Sequence, residues 1–176
     1  MFIAHLPAGY LLGRSLLRWK PTQMSQTLWL MAALLGAVAP DLDMLYFYLI
    51  DQRQHHHHSY WSHWPLLWFS LLGLAVIACM AWCGEKLPRL ALLFSLNGCC
   101  HLVLDTLVGD IWWLAPWNDK PFALFSVPAR FSPWWLNFIL HWSFAVELFL
   151  WFLSIYAYCH RAPLPVHGAD RRDPLE

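Results

Sequence analysis

Apolar residues in this chain come in long blocks rather than in alternation, and the polar residues collect in the gaps between them. Five blocks have nearly the length, or the full length, of the roughly 17–25 residues that a helix needs to cross a bilayer. They run from Phe2 to Trp19, Thr27 to Ile50 (interrupted by Pro40), Pro65 to Cys83, Leu87 to Val108, and Trp134 to Cys159. The pattern predicts an all-α, polytopic membrane bundle of about five helices. An aromatic-rich interfacial loop, Gly109 to Pro133, joins the last two. One membrane-embedded domain is expected over residues 1–160, followed by a polar, disordered cytoplasmic tail over residues 161–176.

A second pattern lies inside the fourth block. In Asn97-Gly-Cys-Cys-His101-Leu-Val-Leu-Asp105 the polar residues fall at i, i+4 and i+8, stacked on one helix face about 5–6 Å apart from turn to turn. Burying an imidazole and a carboxylate there is costly unless something positive sits between them. In an up-and-down chain, the start of the first helix, the end of the second, the start of the third and the end of the fourth share one membrane face. Those positions carry His5, then Asp41 and Asp43, then His58 and His63, then His101 and Asp105. The candidate ligands therefore converge without being forced to.

Composition sharpens the class. Apolar residues make up 59% of the 176 and charged residues only 12%, where soluble domains carry roughly a quarter. Formal net charge is zero, so nothing points to nucleic acid. The five cysteines all lie in apolar runs and read as small buried hydrophobes, with no disulfide framework or CxxC knuckle. The basic residues Arg14, Arg18 and Lys20 followed by an apolar run imitate a signal peptide, but Pro40 would follow the cut, and the N-terminus is expected to be retained. Arg14, Arg18, Lys20, Lys86, Arg89, Arg161, Arg171 and Arg172 fall on one face; only Arg53, Lys120 and Arg130 fall on the other. By the positive-inside rule the basic loops are cytoplasmic, and the His/Asp cluster faces the periplasm or cell exterior.

Imidazole and carboxylate ligands without thiolate suit zinc, with manganese or iron as alternatives. Seven candidates exceed what one zinc needs, so one or two ions are expected, two lying about 3.5–4 Å apart. Such sites activate water for attack on phosphoesters. Asp41 and Asp43 are the catalytic candidates, as metal bridge or general base, and spacing does not separate those roles. Each element also has an ordinary reading. His5 alone suits an interface, Pro40-Asp-Leu-Asp43 a helix terminus with an Asx turn, and part of His55 to His58 solvent-exposed bystanders. His101 with Asp105 could be a hydrogen-bonded pair. Asn97, Asp110, Asn137, His141 and Glu147 are supporting candidates around the cluster; Glu147, near mid-membrane, needs a partner, with Asn97 or His141 in reach. The aromatic loop is a headgroup-layer belt, or a lid whose Lys120 or Arg130 meets an anionic headgroup.

Pro40-Asp41-Leu-Asp43, His58-Ser-Tyr-Trp-Ser62-His63 and Gly98-Cys-Cys-His101-Leu-Val-Leu-Asp105 resemble the YdjM-like membrane-bound metal-dependent hydrolases of bacteria. Their pattern is an N-terminal His, P-D-x-D, H-R-x-x-[ST]-H-S and H-x-x-x-D. The resemblance spans roughly Met1 to Pro116. It implies an inner-membrane hydrolase with His5, Asp41, Asp43, His58, His63, His101 and Asp105 as metal ligands or their close supports. Ser59 stands where that family usually has Arg, and Trp64 where it often has Ser. The order of ligands is also similar, distantly, to zinc-dependent phospholipase C, whose later H-x-x-x-E pair is not reproduced: Ala145 lies four residues after His141. The expected partners are the bilayer and a lipid or lipid-linked phosphoester. A metal-binding transporter and a non-catalytic scaffold or stress-response protein remain as alternatives; serine-nucleophile, nucleotide-loop and haem motifs are absent.

Overall fold

In the computed structural model, which describes residue 1 and residues 3–160, every regular element among the described residues is a helix, apart from one isolated antiparallel bridge between Ile111 and Phe122 in the helix-free stretch 106–134. The tail expected at 161–176 lies outside the described residues. Among the described residues there are seven α-helices: α1 (His5–Ser15), α2 (Gln26–Val38), α3 (Asp43–Leu49), α4 (Pro65–Ala81), α5 (Lys86–Asp105), α6 (Trp135–Ile139) and α7 (Ser143–Cys159).

The count exceeds five because two apolar blocks break. Ser25 caps α2, its hydroxyl accepting from the Leu28 amide at 3.1 Å. The helix stops where Pro40 has no N–H to give, and the chain turns by 60° into α3. The block from Trp134 to Cys159, expected as one span, divides at residues 140–142. There the His141 ring takes over local bonding: its Nδ1 lies 2.9 Å from Ser143 Oγ and 3.4 Å from the Ser143 amide. A side chain competing for a backbone amide in this way favours a helix start over helix continuation. The first block is also shorter than expected. Its helix holds 11 residues, about 16 Å of rise, followed by a single 3-10 turn at Leu17–Trp19.

By length and apolar character, α5 alone passes as a full span, and the bent α2–α3 pair passes as a second; α4 and α7 are apolar but hold 17 residues each. Helix α5 is the centre of the assembly, packed between α2 and α4, while α1 lies on α2 and α7. Two glycines allow these approaches. A Cβ on Gly36 of α2 would stand 2.2 Å from the Phe94 carbonyl oxygen of α5, and one on Gly98 of α5 would stand 1.9 Å from the Trp68 ring of α4. Close backbone contact through small residues is how helices hold together where lipid removes the hydrophobic drive. Met24, Trp29, Ala33 and Leu93 form an apolar cluster at one end of the bundle; Trp68, Cys99 and Leu102 form another nearer the polar end.

Candidate metal centre

Four side chains from three elements meet at one end of α5. Asp41 rides on the 3-10 turn after α2, His63 on the turn before α4, and His101 and Asp105 on the last turns of α5. One ligand atom from each lies within 4.8 Å of all the others. His101 Nε2 is 2.9 Å from Asp105 Oδ2 and 3.5 Å from Asp41 Oδ1. His63 Nε2 is 3.5 Å from the same Asp41 oxygen and 3.9 Å from Asp105 Oδ2.

The outer nitrogens of both rings are tied. Nδ1 of His101 donates to the Ala37 carbonyl at 2.7 Å, and Nδ1 of His63 donates to Asp43 Oδ2 at 2.6 Å. These bonds leave each Nε2 as a lone-pair donor aimed inward, the arrangement that metal-binding histidines use. Asp43 is thus one ring removed from the centre, and Ser62 Oγ donates to the same Oδ2 at 2.6 Å.

Two further histidines flank Asp105. His58 Nε2 lies 3.6 Å from Oδ2, its Nδ1 held by the Asp110 carbonyl at 3.1 Å. His5 Nε2 lies 3.1 Å from Oδ1, and its ring stacks on His101 with centroids 3.7 Å apart. The α-amino group of Met1 pairs with the same Oδ1. This N-terminal stretch is pinned by α7: Glu147 accepts from the Ile3 amide, and Trp151 Nε1 donates to the Ile3 carbonyl at 3.0 Å.

Whether this donor set suits a cation can be judged from what it leaves unsatisfied. His63 Nε2, His101 Nε2 and Asp105 Oδ2 are buried without a hydrogen-bond partner. Three converging orphans are costly in a buried site unless a cation satisfies them together. Zinc–nitrogen and zinc–oxygen bonds near 2.0–2.2 Å in a tetrahedron imply ligand separations of about 3.3 Å. The separations here, 2.9 to 3.9 Å, bracket that value. The residues fit a divalent ion. Burial also drives His57 down to about 4 and His58 down to about 2, so both rings are neutral near pH 7 and keep a free lone pair.

The centre is buried but reachable. His63 and Asp105 side chains are 0% and 1% exposed, whereas Asp41 is 36% exposed. A cavity of about 510 Å³ opens onto Asp41, His57 and His58, with Phe125, Trp134 and Phe138 among its walls.

The supporting candidates separate on inspection. Asn97 donates to the Leu93 carbonyl at 2.8 Å, and its Oδ1 is buried without a partner one turn below His101. Asp110 is exposed and serves through its backbone carbonyl. Asn137 accepts from the Arg130 and Phe131 amides at 2.8 Å each and so ties the aromatic loop to α6. His141 lies at the α6–α7 break. The same loop folds back on α5, with the Leu124 and Phe125 amides donating to the Thr106 and Leu107 carbonyls. Sequence reasoning did not single out Ala37, Ser62 or His57. A backbone carbonyl leaves no trace in residue type, but Ser62 stood inside a quoted motif and was legible.

The family model for the YdjM inner membrane protein matches residues 1–164. The chain belongs to that family. No curated protein and no solved structure matches it. All seven candidate ligands fall inside the matched region, and membership in the YdjM family places the chain in association with the lipid bilayer.

Proposed function

We propose that this YdjM-family protein is a membrane-bound, metal-dependent hydrolase acting on a phosphoester of a lipid or lipid-linked substrate. The observation that carries the reading is the convergence of Asp41, His63, His101 and Asp105 with their inward nitrogens and oxygen unsatisfied. Zinc suits this donor set best, with manganese or iron as alternatives. His5 on the far oxygen of Asp105 offers the start of a second position. When bound, the ion would lower the pKa of a coordinated water and polarise the phosphoryl oxygen.

In this reading the protein residues divide the remaining work. Asp41, the exposed member of the four, takes the proton of the attacking water at the mouth of the cavity. Asp43 and Ser62 hold the His63 ring in one tautomer, and Ala37 does the same for His101. Phe125, Trp134 and Phe138 exclude water and receive the apolar part of the substrate. Four apolar segments, α2–α3, α4, α5 and α7, are assigned to a multi-pass arrangement in the inner membrane. The exposed Leu74, Ile77 and Met80 of α4, and Phe149, Phe152 and Ile155 of α7, support it. The positive-inside bias puts the metal centre on the periplasmic face and the C-terminus in the cytoplasm.

Metal analysis of the detergent-solubilised protein tests this, beside folded His101→Gln and Asp105→Asn variants. Near-stoichiometric zinc or manganese, lost in both variants, is expected, followed by release of phosphate or headgroup in a phosphoester screen. A folded wild-type protein that neither carries nor takes up metal would sink the reading and leave the scaffold alternative in its place.

A further inference from the structure

At the far end of α5 from the metal centre, another cavity of about 450 Å³ lies where the end of α1, α2, the end of α4 and the start of α5 meet. It falls in the range of small-molecule sites, roughly 300–1,000 Å³. One wall is a single stripe of α5, with Arg89, Leu92, Leu93 and Leu96 at i, i+3, i+4 and i+7. Arg89 stands in the first turn of that helix, and the leucines follow it about 5–10 Å further along. Trp29 of α2 closes the apolar part; the exposed Trp19 and Cys83 stand with Arg89 at the outer end. The charge at this end has one sign. Nη1 of Arg89 donates to the Trp19 carbonyl at 3.1 Å, and no carboxylate pairs with the guanidinium. Lys86 is one turn earlier on the same face, and the first turn of α5 holds no acid. Arg14 and Arg18 end the neighbouring α1 and its 3-10 turn. Glu85, the nearest carboxylate in sequence, lines a separate groove with Leu74, Ala78 and Leu87. Unpaired positive charge at the outer end of an apolar slot selects an amphiphile with an anionic head. A free anion would leave the leucine stripe uncovered, and a cationic lipid would be repelled by Arg89 and Lys86.

We infer that this cavity binds an anionic phospholipid, its phosphodiester in the fork of Arg89 and one acyl chain along Leu92 and Leu96 towards Trp29. Trp19, 53% exposed, suits the headgroup layer in a membrane family. Basic pockets between helices on the cytoplasmic side are a recurrent form of anionic-lipid recognition, and the positive-inside bias assigns this end to that side. Arg89 and Asp105 are 16 residues apart on α5, about 24 Å. The lipid therefore touches none of the candidate ligands, and the inference does not depend on the hydrolase reading.

The test uses the full chain in phosphatidylcholine nanodiscs doped with phosphatidylglycerol carrying a diazirine on its acyl chain. Photolabel is expected on Leu92, Leu96 and Trp29. Unlabelled phosphatidylglycerol should compete severalfold better than phosphatidylcholine, whose headgroup carries no net charge. Glycerol 1-phosphate, which has the anion without the chains, should not displace the label. Arg89→Gln should abolish the preference for phosphatidylglycerol, whereas Arg14→Gln, which removes a charge of the same end outside the cavity, should keep it. Leu92→Trp, which fills the cavity from a half-buried position, should cut labelling severalfold at unchanged metal content. Label spread evenly over the apolar helices, equal competition by the two lipids, displacement by glycerol 1-phosphate, or equal losses in Arg14→Gln and Arg89→Gln would overturn the inference. Labelling that persists in metal-free protein would support it even if the hydrolase reading failed.

Discussion

The two halves of α5 share one helix and obey different rules. From Lys86 to Leu96 the buried positions are held by shape: Leu93 packs into the Trp29 cluster, and Phe94 receives the backbone of α2 at Gly36. From Asn97 to Asp105 one side still packs by shape, with Gly98, Cys99 and Leu102 on Trp68, but the other is polar: Asn97, His101 and Asp105 are all 1% exposed, and each has an atom without a hydrogen-bond partner. The first half is satisfied by its neighbours. The second leaves unsatisfied atoms, and its neighbours turn the same atoms inward instead of capping them. In a buried site this difference separates a surface completed by packing from one that still calls for a partner such as a water, an ion or a ligand.

Substitutions among the neighbours of each half should therefore move different observables. The largest expected effect is against the packing half. Gly36→Ala puts a Cβ 2.2 Å from the Phe94 carbonyl oxygen and 2.9 Å from its carbon. Neither can swing aside as a side chain would, so the cost should be near the upper end of overpacking, about 3 kcal/mol. A clear drop in Tm, with metal content per folded molecule unchanged, is the expected result. Next comes Asp43→Asn, which keeps the shape but removes the charge behind His63. Supporting bonds of this kind are worth about 10–100-fold in metal affinity, readable by zinc titration. Equal affinity in the variant would mean that His63 is not a ligand. The smallest is Trp29→Phe, which loses the 2.8 Å bond from Nε1 to the Gly13 carbonyl. A cost of about 1 kcal/mol is expected, without change in metal binding. If zinc were lost as well, the two halves would form one cooperative unit and the comparison would fail.

Much of the polar half was legible before any coordinates. His101 and Asp105 at i and i+4 must share a face in any helix, and that face had no reason to be polar unless it was used. Up-and-down alternation then put Asp41, His63, His58 and His5 at the same end. The division of labour among them was not legible. Asp41 and Asp43 are equivalent in Pro-Asp-Leu-Asp, but two residues apart on helical backbone they point to different sides, one to the centre and the other behind His63. The break at residues 140–142 was equally hidden, since it depends on His141 bonding Ser143, and hydropathy does not register such a bond.

By itself the sequence determined the helical class, the family and a set of His and Asp residues that includes Asp41, His63, His101 and Asp105, the four that could hold a metal. Those follow from residue type and from periodicities of one or two turns, which any helix imposes on its own chain. Only the tertiary structure decided which nitrogen of each histidine faces inward, and which of Asp41 and Asp43 joins the four-residue cluster and which stands behind His63. These are settled by partners far apart in the chain, such as Ala37 for His101 and Phe94 for Gly36. A backbone carbonyl or a missing Cβ acts through where it is placed, and placement is set by packing.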